Sequence, residues 1–145
     1  MAANKVLERL ATIELLMPTA TNISSGQPVL FGEGASGSAL AGVAVAAQNT
    51  ANPNYDSNSG YLTIDFEGVY NLTVVAETLG SISAGAAFRA GDKVFASGGT
   101  YDPISGITTG FVLCNDTNGV FFGRIMQPLA AGVTATVPVI LRNAC

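Results

Sequence analysis

The feature that most constrains this chain is a succession of short apolar runs, rich in Val, Ile, Leu, Phe and Tyr, that begins at Gln27. The runs recur roughly every eight to twelve residues and are separated by Gly, Asn, Asp, Ser or Pro. Runs of this length and spacing are typical of strands joined by turns. The chain is therefore predicted to be all-β, with about eight short strands.

The clearest predicted strand covers residues 61–67, where apolar and polar side chains alternate, so that one face is buried and the other is wet. Gly68 then predicts a bulge or tight bend before a second strand over residues 69–75. Because Pro138 cannot donate to a central ladder, the last strand is predicted to be an edge. The other predicted strands are residues 28–31, 40–46, 93–96, 106–114, 120–126 and 134–141.

Turn signals lie between these strands. Asn118-Gly119 predicts a hairpin, and residues 102–106, Asp-Pro-Ile-Ser-Gly, predict a turn. Residues 25–31 and 90–96 resemble each other, since both place a Gly and then a polar residue directly before a short apolar strand. This similarity is a weak indication of an internal repeat.

Residues 1–24 differ from the rest, because apolar residues at helical spacing alternate with charged ones before Pro18. Two interpretations are open. The segment is a short amphipathic helix on its own core, or it is an arm that leaves its own domain and lies on a neighbour. The predicted division is an arm over residues 1–24 and a β domain over residues 25–145. The residues predicted to make the arm's contacts are Lys5, Leu7, Leu10, Ile13, Leu16 and Met17.

The composition points to protein partners. Hydrophobic residues make up 48% of the chain and charged residues 11%, against about 25% charged in an ordinary soluble domain. Part of the exterior is therefore expected to be buried against other subunits. The net charge is -4 and no basic cluster occurs along the chain, which argues against nucleic acid as a partner. The apolar runs are short and interrupted, so membrane insertion is not expected.

The residues needed for catalysis or metal binding are largely missing. Histidine is absent, which removes every arrangement that depends on an imidazole. Cys114 and Cys145 form no CxxC pair, so free thiols and no zinc site are predicted. Asp65 and Glu67 share one face of a strand, where two solvated carboxylates are expected rather than a catalytic pair. The chain is predicted not to be an enzyme and to bind no metal or cofactor.

The sequence GxGxxG at residues 32–37 is the motif closest to a nucleotide site. No βαβ pattern follows it, so a loop between two strands is predicted instead. The phosphate-binding pattern GxxxxGK[ST] has no match anywhere in the chain.

Several short motifs are informative through their order, although each alone is unspecific. The motifs are Ser-Gly-Gln-Pro-Val at 25–29, Ala-Gly-Val-Ala at 41–44, Glu-Gly-Val-Tyr at 67–70 with Leu-Thr-Val at 72–74, Gly-Asp-Lys-Val-Phe at 91–95, Gly-Phe-Val at 110–112 and Val-Pro-Val-Ile-Leu at 137–141. Over residues 23–144 this order resembles the small capsid cement, or head-decoration, proteins of tailed bacteriophages, a family often mislabelled as RecA/RadA-type phage recombinases. The N-terminal segment is longer than is usual in that family, and residues 49–60 look like an insertion.

The resemblance implies a small β-barrel or β-tulip-like sandwich that forms homotrimers on the outside of an icosahedral head. The implied partner is the major capsid protein, with no catalysis and no cofactor. The start of the chain shows no secretory signal, so synthesis in the host cytoplasm is expected. A carbohydrate- or receptor-binding β module stays open as the alternative, although the absence of Trp counts against it. Its stacking platforms would be Tyr55, Tyr61, Tyr70 and Tyr101.

Overall fold

A computed structural model describes residues 12–16, 23–34, 39–45, 61–78, 86–103 and 105–141. Their regular structure consists of eleven strands, which confirms the all-β prediction. The strands are β1 (Thr12–Leu16), β2 (Pro28–Phe31), β3 (Leu40–Ala44), β4 (Tyr61–Asp65), β5 (Gly68–Val75), β6 (Lys93–Ser97), β7 (Thr100–Asp102), β8 (Ile107–Thr109), β9 (Val112–Cys114), β10 (Val120–Ile125) and β11 (Thr134–Leu141).

The strands form two units. One is a six-stranded sheet in the order β1-β4-β3-β2-β8-β7, and the other is a closed barrel in the order β10-β11-β5-β9-β6. Pairing is antiparallel throughout these described strands, except that β5 and β9 are parallel. The small β-barrel predicted from the sequence is therefore confirmed.

Glycine bends carry the chain from one unit to the other. Residues 106–114 were expected to be one strand, but they form β8 in the sheet and β9 in the barrel, with Gly110 at a φ of 73° between them. Gly98 and Gly99, with φ values of 76° and 96°, make the same exchange between β6 and β7. Residues other than Gly rarely adopt a positive φ, so these glycines determine where the chain passes between the sheet and the barrel.

The bend predicted at Gly68 is confirmed. Its φ of 126° lies between β4, which belongs to the sheet, and β5, which belongs to the barrel. The Tyr70 hydroxyl donates a hydrogen bond to Asp65 Oδ2 across this bend. Burial raises the pKa of Tyr70 to about 12, and the hydrogen bond to Asp65 and the negative charge of that carboxylate act in the same direction. This contact ties the two units together.

The prediction that the last strand is an edge is wrong. β11 pairs with β5 along its whole length and with β10 at its C-terminal end, inside the closed barrel. The Pro138 carbonyl accepts a hydrogen bond from the N–H of Met126, directly after β10 ends at Ile125. In an antiparallel strand the nitrogen and the carbonyl of one residue face the same neighbour, which for Pro138 is β10. The β10–β11 pairing ends next to Pro138, so the missing N–H of Pro138 breaks no bond within that ladder.

The hairpin predicted at Asn118-Gly119 is also wrong. The strands on either side, β9 and β10, do not pair with each other, because each pairs with one edge of β6. Neither residue has a positive φ. Gly119 is needed for close approach instead, since a Cβ there would lie 2.5 Å from the carbonyl oxygen of Ala96 on β6.

The similarity between residues 25–31 and 90–96 is confirmed as a structural repeat, and the structure adds a third copy. We call these turn 1 (residues 24–27), turn 2 (residues 89–92) and turn 3 (residues 130–133). In each, the fourth residue donates its N–H to the first residue's carbonyl at 3.1 Å, and the third residue is Gly with φ between 77° and 93°. Each turn leads within one residue into a strand, namely β2, β6 or β11.

Each turn also holds the end of a neighbouring strand. The Gly N–H donates to the carbonyl of a buried residue at 2.6–2.8 Å, and that residue donates its own N–H back to the turn's fourth carbonyl at 2.9–3.0 Å. Turns 1 and 2 add a side-chain bond, from the Ser24 N–H to Gln27 Oε1 and from the Arg89 N–H to Asp92 Oδ2. The residues held in turns 1, 2 and 3 are Ala44, Ile125 and Ala76.

The hydrophobic core has two parts. The larger fills the barrel and includes Leu72, Val74 and Phe122. It extends to Leu30, Ala41 and Val43 on β2 and β3, whereas their strand neighbours Val29 and Ala44 belong to the smaller cluster. Since successive residues of a strand point to opposite faces, β2 and β3 are buried on both faces.

The N-terminal segment is a strand where the structure describes it, so the helical interpretation is wrong for residues 12–16. These residues pair antiparallel with β4, with Ile13 opposite Ile64 and Leu16 opposite Tyr61. Pairing with β4 gives hydrogen-bond partners to the backbone N–H and C=O groups along one edge of this segment. A helix would have to pair those groups within the segment itself. The division at residue 24 and the arm itself stay predictions.

Candidate assembly surface

The residues predicted to make the arm's contacts are only partly placed. Ile13 and Leu16 lie in β1, at one edge of the six-stranded sheet. Lys5, Leu7, Leu10 and Met17 lie outside the described residues, as does the predicted insertion at 49–60.

The tyrosines of the alternative carbohydrate site are separated. Tyr70 lies on barrel strand β5, half-buried and bonded to Asp65, whereas Tyr101 is 38% exposed on β7 at the edge of the other sheet. Tyr61 begins β4, and Tyr55 lies outside the described residues. The two tyrosines whose side chains are described therefore form no shared stacking platform.

The thiol and the carboxylates that the sequence offered for chemistry are not assembled into a reactive site. Cys114 is a buried free thiol, and burial raises its pKa. Asp65 accepts the Tyr70 hydroxyl, while Glu67 is exposed. The described residues contain no group of three or more acidic or Cys side chains placed to hold a metal ion. In the same residues, no helix is long and apolar enough to cross a bilayer.

An uncharged surface lies on the outside of the barrel, and we call it the β5–β11 face. Leu72 and Val74 of β5 point into the core, so the residues between them point outward. On this face Val69 pairs with Ile140, and the Thr73 and Thr136 hydroxyls lie 3.3 Å apart. None of the side chains is charged. The face consists of Val69, Asn71, Thr73, Val75, Thr134, Thr136, Pro138 and Ile140.

Exposed apolar side chains are concentrated on and beside this face. Val69 is 52% exposed, Met126 beside Pro138 is 50% exposed, and Val112 at the start of β9, which pairs with β5, is 46% exposed. A groove of about 380 Å³ runs along the same side, between Val112 and Pro28 of β2. Contiguous uncharged, partly apolar surface of this kind is typical of a protein contact.

The described Lys and Arg residues lie together beside the β5–β11 face, since Arg124 pairs with Ile140 of that face, and we call this cluster the cationic corner. It comprises Arg89 in turn 2, Lys93 on β6 and Arg124 on β10. Lys93 and Arg124 are directly opposite each other in the β6–β10 register. The sequence did not indicate this cluster, because strand pairing brings Arg124 beside residues far from it along the chain. Its only sequence signal is that Arg89 begins turn 2 and Lys93 directly follows it.

A cleft of about 640 Å³ opens beside the cationic corner. Lys93 Nζ lies 5.7 Å from the centre of the Phe121 ring, and that ring packs edge-on against Phe95 at 6.2 Å between centroids. The cleft thus has cations at its rim and an aromatic wall. It is lined by Ala87, Phe88, Arg89, Asp92, Lys93, Phe95, Asn115 and Thr117.

A model of a phage cement protein family matches residues 7–141. No curated protein and no solved structure matches the chain significantly. The family match includes β1, the six-stranded sheet and the whole barrel, and it agrees with the resemblance drawn from the motif order. The chain therefore belongs to the phage cement proteins, a family of structural components associated with the phage capsid.

Proposed function

We propose that this protein is a homotrimeric cement protein that binds the major capsid protein on the outside of an icosahedral head and stabilises the shell against the pressure of packaged DNA. The observation that carries the proposal is the family match over residues 7–141. In this role the protein is synthesised in the host cytoplasm and has no catalytic activity.

Cementing depends on contact area repeated over many sites. Obligate protein interfaces bury roughly 2,000 Å² or more. A trimer that contacts several shell subunits at once gains further through avidity, because the second and third contacts form at high effective concentration. A low content of charged residues, 11% of the chain, supports such close contact.

The N-terminal arm is the first proposed contact with the shell, through Lys5, Leu7, Leu10, Ile13, Leu16 and Met17. β1 supports this role, because it is an edge strand in the order of the described sheet. An edge strand has a row of N–H and C=O groups available to pair with a strand from another chain.

The β5–β11 face is the proposed contact between copies of this chain. Each copy carries a net charge of -4, so two copies approach most favourably where no carboxylate faces the other. β5 and β11 pair over eight residues, a length of about 27 Å at 3.4 Å per residue. A stable interface needs about 800 Å² per partner, so the groove beside Val112 has to contribute as well.

Two measurements test the proposal. Native mass measurement is expected to give three times the 14.7 kDa of one chain, and a monomer would contradict the trimer. Cosedimentation with heads prepared without cement protein, from the phage that encodes the chain, is expected to show binding. A protein that ignores these heads would refute the proposed function.

Deletion of residues 2–17 tests the arm separately. The deletion retains Ile23, which is buried, and turn 1, so the barrel and most of the sheet are kept. The shortened protein is expected to fold and to keep its oligomeric mass but to lose binding to the heads. A deletion of residues 2–11, which retains β1, is the matched control for the part of the arm outside the sheet. Undiminished binding by the 2–17 deletion would show that the arm is not a contact.

A further inference from the structure

We infer that the cationic corner and the cleft beside it are a docking site for an acidic segment of the shell protein. The inference rests on the proposed function and adds to it the second surface that meets the shell and the chemistry of the segment bound there. It is carried by the charges, by the geometry of Arg124 and by the cleft.

Within the described residues the corner keeps a net positive charge, because it has three cations and one adjoining carboxylate, that of Asp92. Lys93 and Arg124 are opposite each other on adjacent strands, where like charges destabilise the pair. In the described part of the chain, neither side chain nor that of Arg89 forms an ion pair with a carboxylate. Asp92 is the nearest acidic residue in sequence, but its Oδ2 accepts the Arg89 backbone N–H at 2.7 Å and so closes turn 2. An anionic partner would neutralise the cluster.

Arg124 is held in position before any partner arrives. Its Nη1 donates to the Gly91 carbonyl at 2.8 Å, which anchors the guanidinium on turn 2. A guanidinium has five N–H donors, so the remaining donors can bind a carboxylate. Lys93 is oriented by the Phe121 ring. Such preorganisation reduces the ordering cost of binding.

The cleft gives the segment a place to lie. Its volume of about 640 Å³ falls within the range of about 300–1,000 Å³ that is usual for ligand clefts. Phe88 and Phe95 supply apolar wall, and Thr117 supplies a polar group. The Asn115 side chain holds the segments at the bottom of the cleft together, since its Nδ2 donates to the Ala86 carbonyl and its Oδ1 accepts the Glu77 N–H. The site therefore suits a short peptide with acidic and apolar side chains.

A nucleic acid fits this surface less well. A duplex carries one charge per about 1.7 Å and requires a long basic track. The corner has three cations in a chain with ten Asp and Glu residues, so a long polyanion would be repelled beyond the corner. A local acidic segment meets only the corner.

The test compares Lys93→Gln with a control that changes the net charge equally. Lys93→Gln and Thr100→Glu each change the net charge from -4 to -5, and Thr100 is exposed on β7, beyond the other end of β6. A surface ion pair accounts for about a 2- to 5-fold change in affinity. Binding to several sites multiplies this to roughly tenfold or more in a head-binding assay. Lys93→Gln is therefore expected to weaken head binding, Thr100→Glu to leave it unchanged, and Lys93→Arg to restore it.

Two further measurements complete the experiment, namely the salt dependence of head binding and the binding of a labelled oligothymidine. Wild-type head binding is expected to weaken as NaCl rises, and the Lys93→Gln variant is expected to show a shallower dependence. Equal loss in Lys93→Gln and Thr100→Glu, or salt-independent wild-type binding, would overturn the inference while the proposed function stands. No wild-type binding to heads would overturn both. A labelled oligothymidine that binds with the same dependence on Lys93 would replace the acidic protein segment by a nucleic acid and overturn the inference.

Discussion

Phe121 and Phe122 are consecutive residues of β10 whose side chains lie on opposite sides of the barrel wall. Phe122 is completely buried in the core, with its ring centre 5.8 Å from that of Phe111. Phe121 is half-buried on the outside, against Phe95 and Lys93. We predict that Phe122→Ala destabilises the protein much more than Phe121→Ala, although both remove the same atoms.

The expected losses in the free energy of unfolding follow from the surroundings of the two rings. Replacing a buried Phe with Ala costs about 3–5 kcal/mol, because transfer free energy is lost and a cavity is left. On the outside, an aromatic pair is worth about 0.5–1.5 kcal/mol, and a cation–π contact about 0.5–1 kcal/mol. Phe121→Ala should therefore cost about 1–2.5 kcal/mol. Folded domains are stable by only about 5–15 kcal/mol, so the Phe122 variant loses a large share of its stability.

The measurement is unfolding by heat or guanidinium chloride, followed by circular dichroism. In a chain of this length, each kcal/mol lowers Tm by about 2–4 °C, so Phe122→Ala is expected to lower Tm by roughly 6–20 °C. Protein concentration must be the same for every variant, because the stability of an oligomer depends on it. Equal losses for the two variants, or a larger loss for Phe121→Ala, would show that β10 does not place Phe122 inside the barrel.

Three further predictions concern other contacts. Gly123→Ala is expected to cost about 1–3 kcal/mol in guanidinium unfolding, because its Cβ would lie 2.4 Å from the Ile140 carbonyl oxygen; a stabilised variant would show that β11 shifts freely. Below pH 10 the Tyr70 hydroxyl is protonated in both states, and above it the unfolded chain loses the proton first, so its contribution to stability should fall from pH 10 as the folded pKa of about 12 is approached. Tyr70→Phe should lack this component when unfolding is measured from pH 9 to 12, and identical profiles would refute the assignment. Pro138→Ala should cost no more than about 1 kcal/mol, since the change acts mainly through the unfolded chain, and a much larger loss would show that the ring is needed for packing.

The sequence predicted local structure well where one physical rule decided it. The short apolar run at 28–31 and the alternating pattern at 134–141 placed two strands at the bounds that the structure has, and the interrupted pattern at Gly68 located the bend between β4 and β5. The prediction failed at Pro138 and at Asn118-Gly119, because in both places the outcome depends on which strand lies alongside. A turn signal describes the local backbone and contains no information on distant partners.

In the candidate assembly surface, too, the sequence predicted what depends on composition and local motifs and missed what depends on strand pairing. Low charge and the motif order indicated a protein that packs against others, and the family match bears out a role associated with the capsid. The cationic corner could not be found in this way, because Arg124 joins Lys93 only through the β6–β10 register. The uncharged β5–β11 face was equally hidden, since its members alternate with core residues along two strands far apart in the chain.

The amino-acid sequence alone is enough to predict that this chain is all-β, where most of its strands lie and that a short Gly turn precedes two of them. Those properties follow from side-chain alternation and backbone sterics, which act over a few residues. The folded structure is needed to see that β11 closes a barrel, that a third turn repeats the first two and that three cations share one corner. Strand pairing fixes these, because it joins segments whose separation along the chain leaves no local signal.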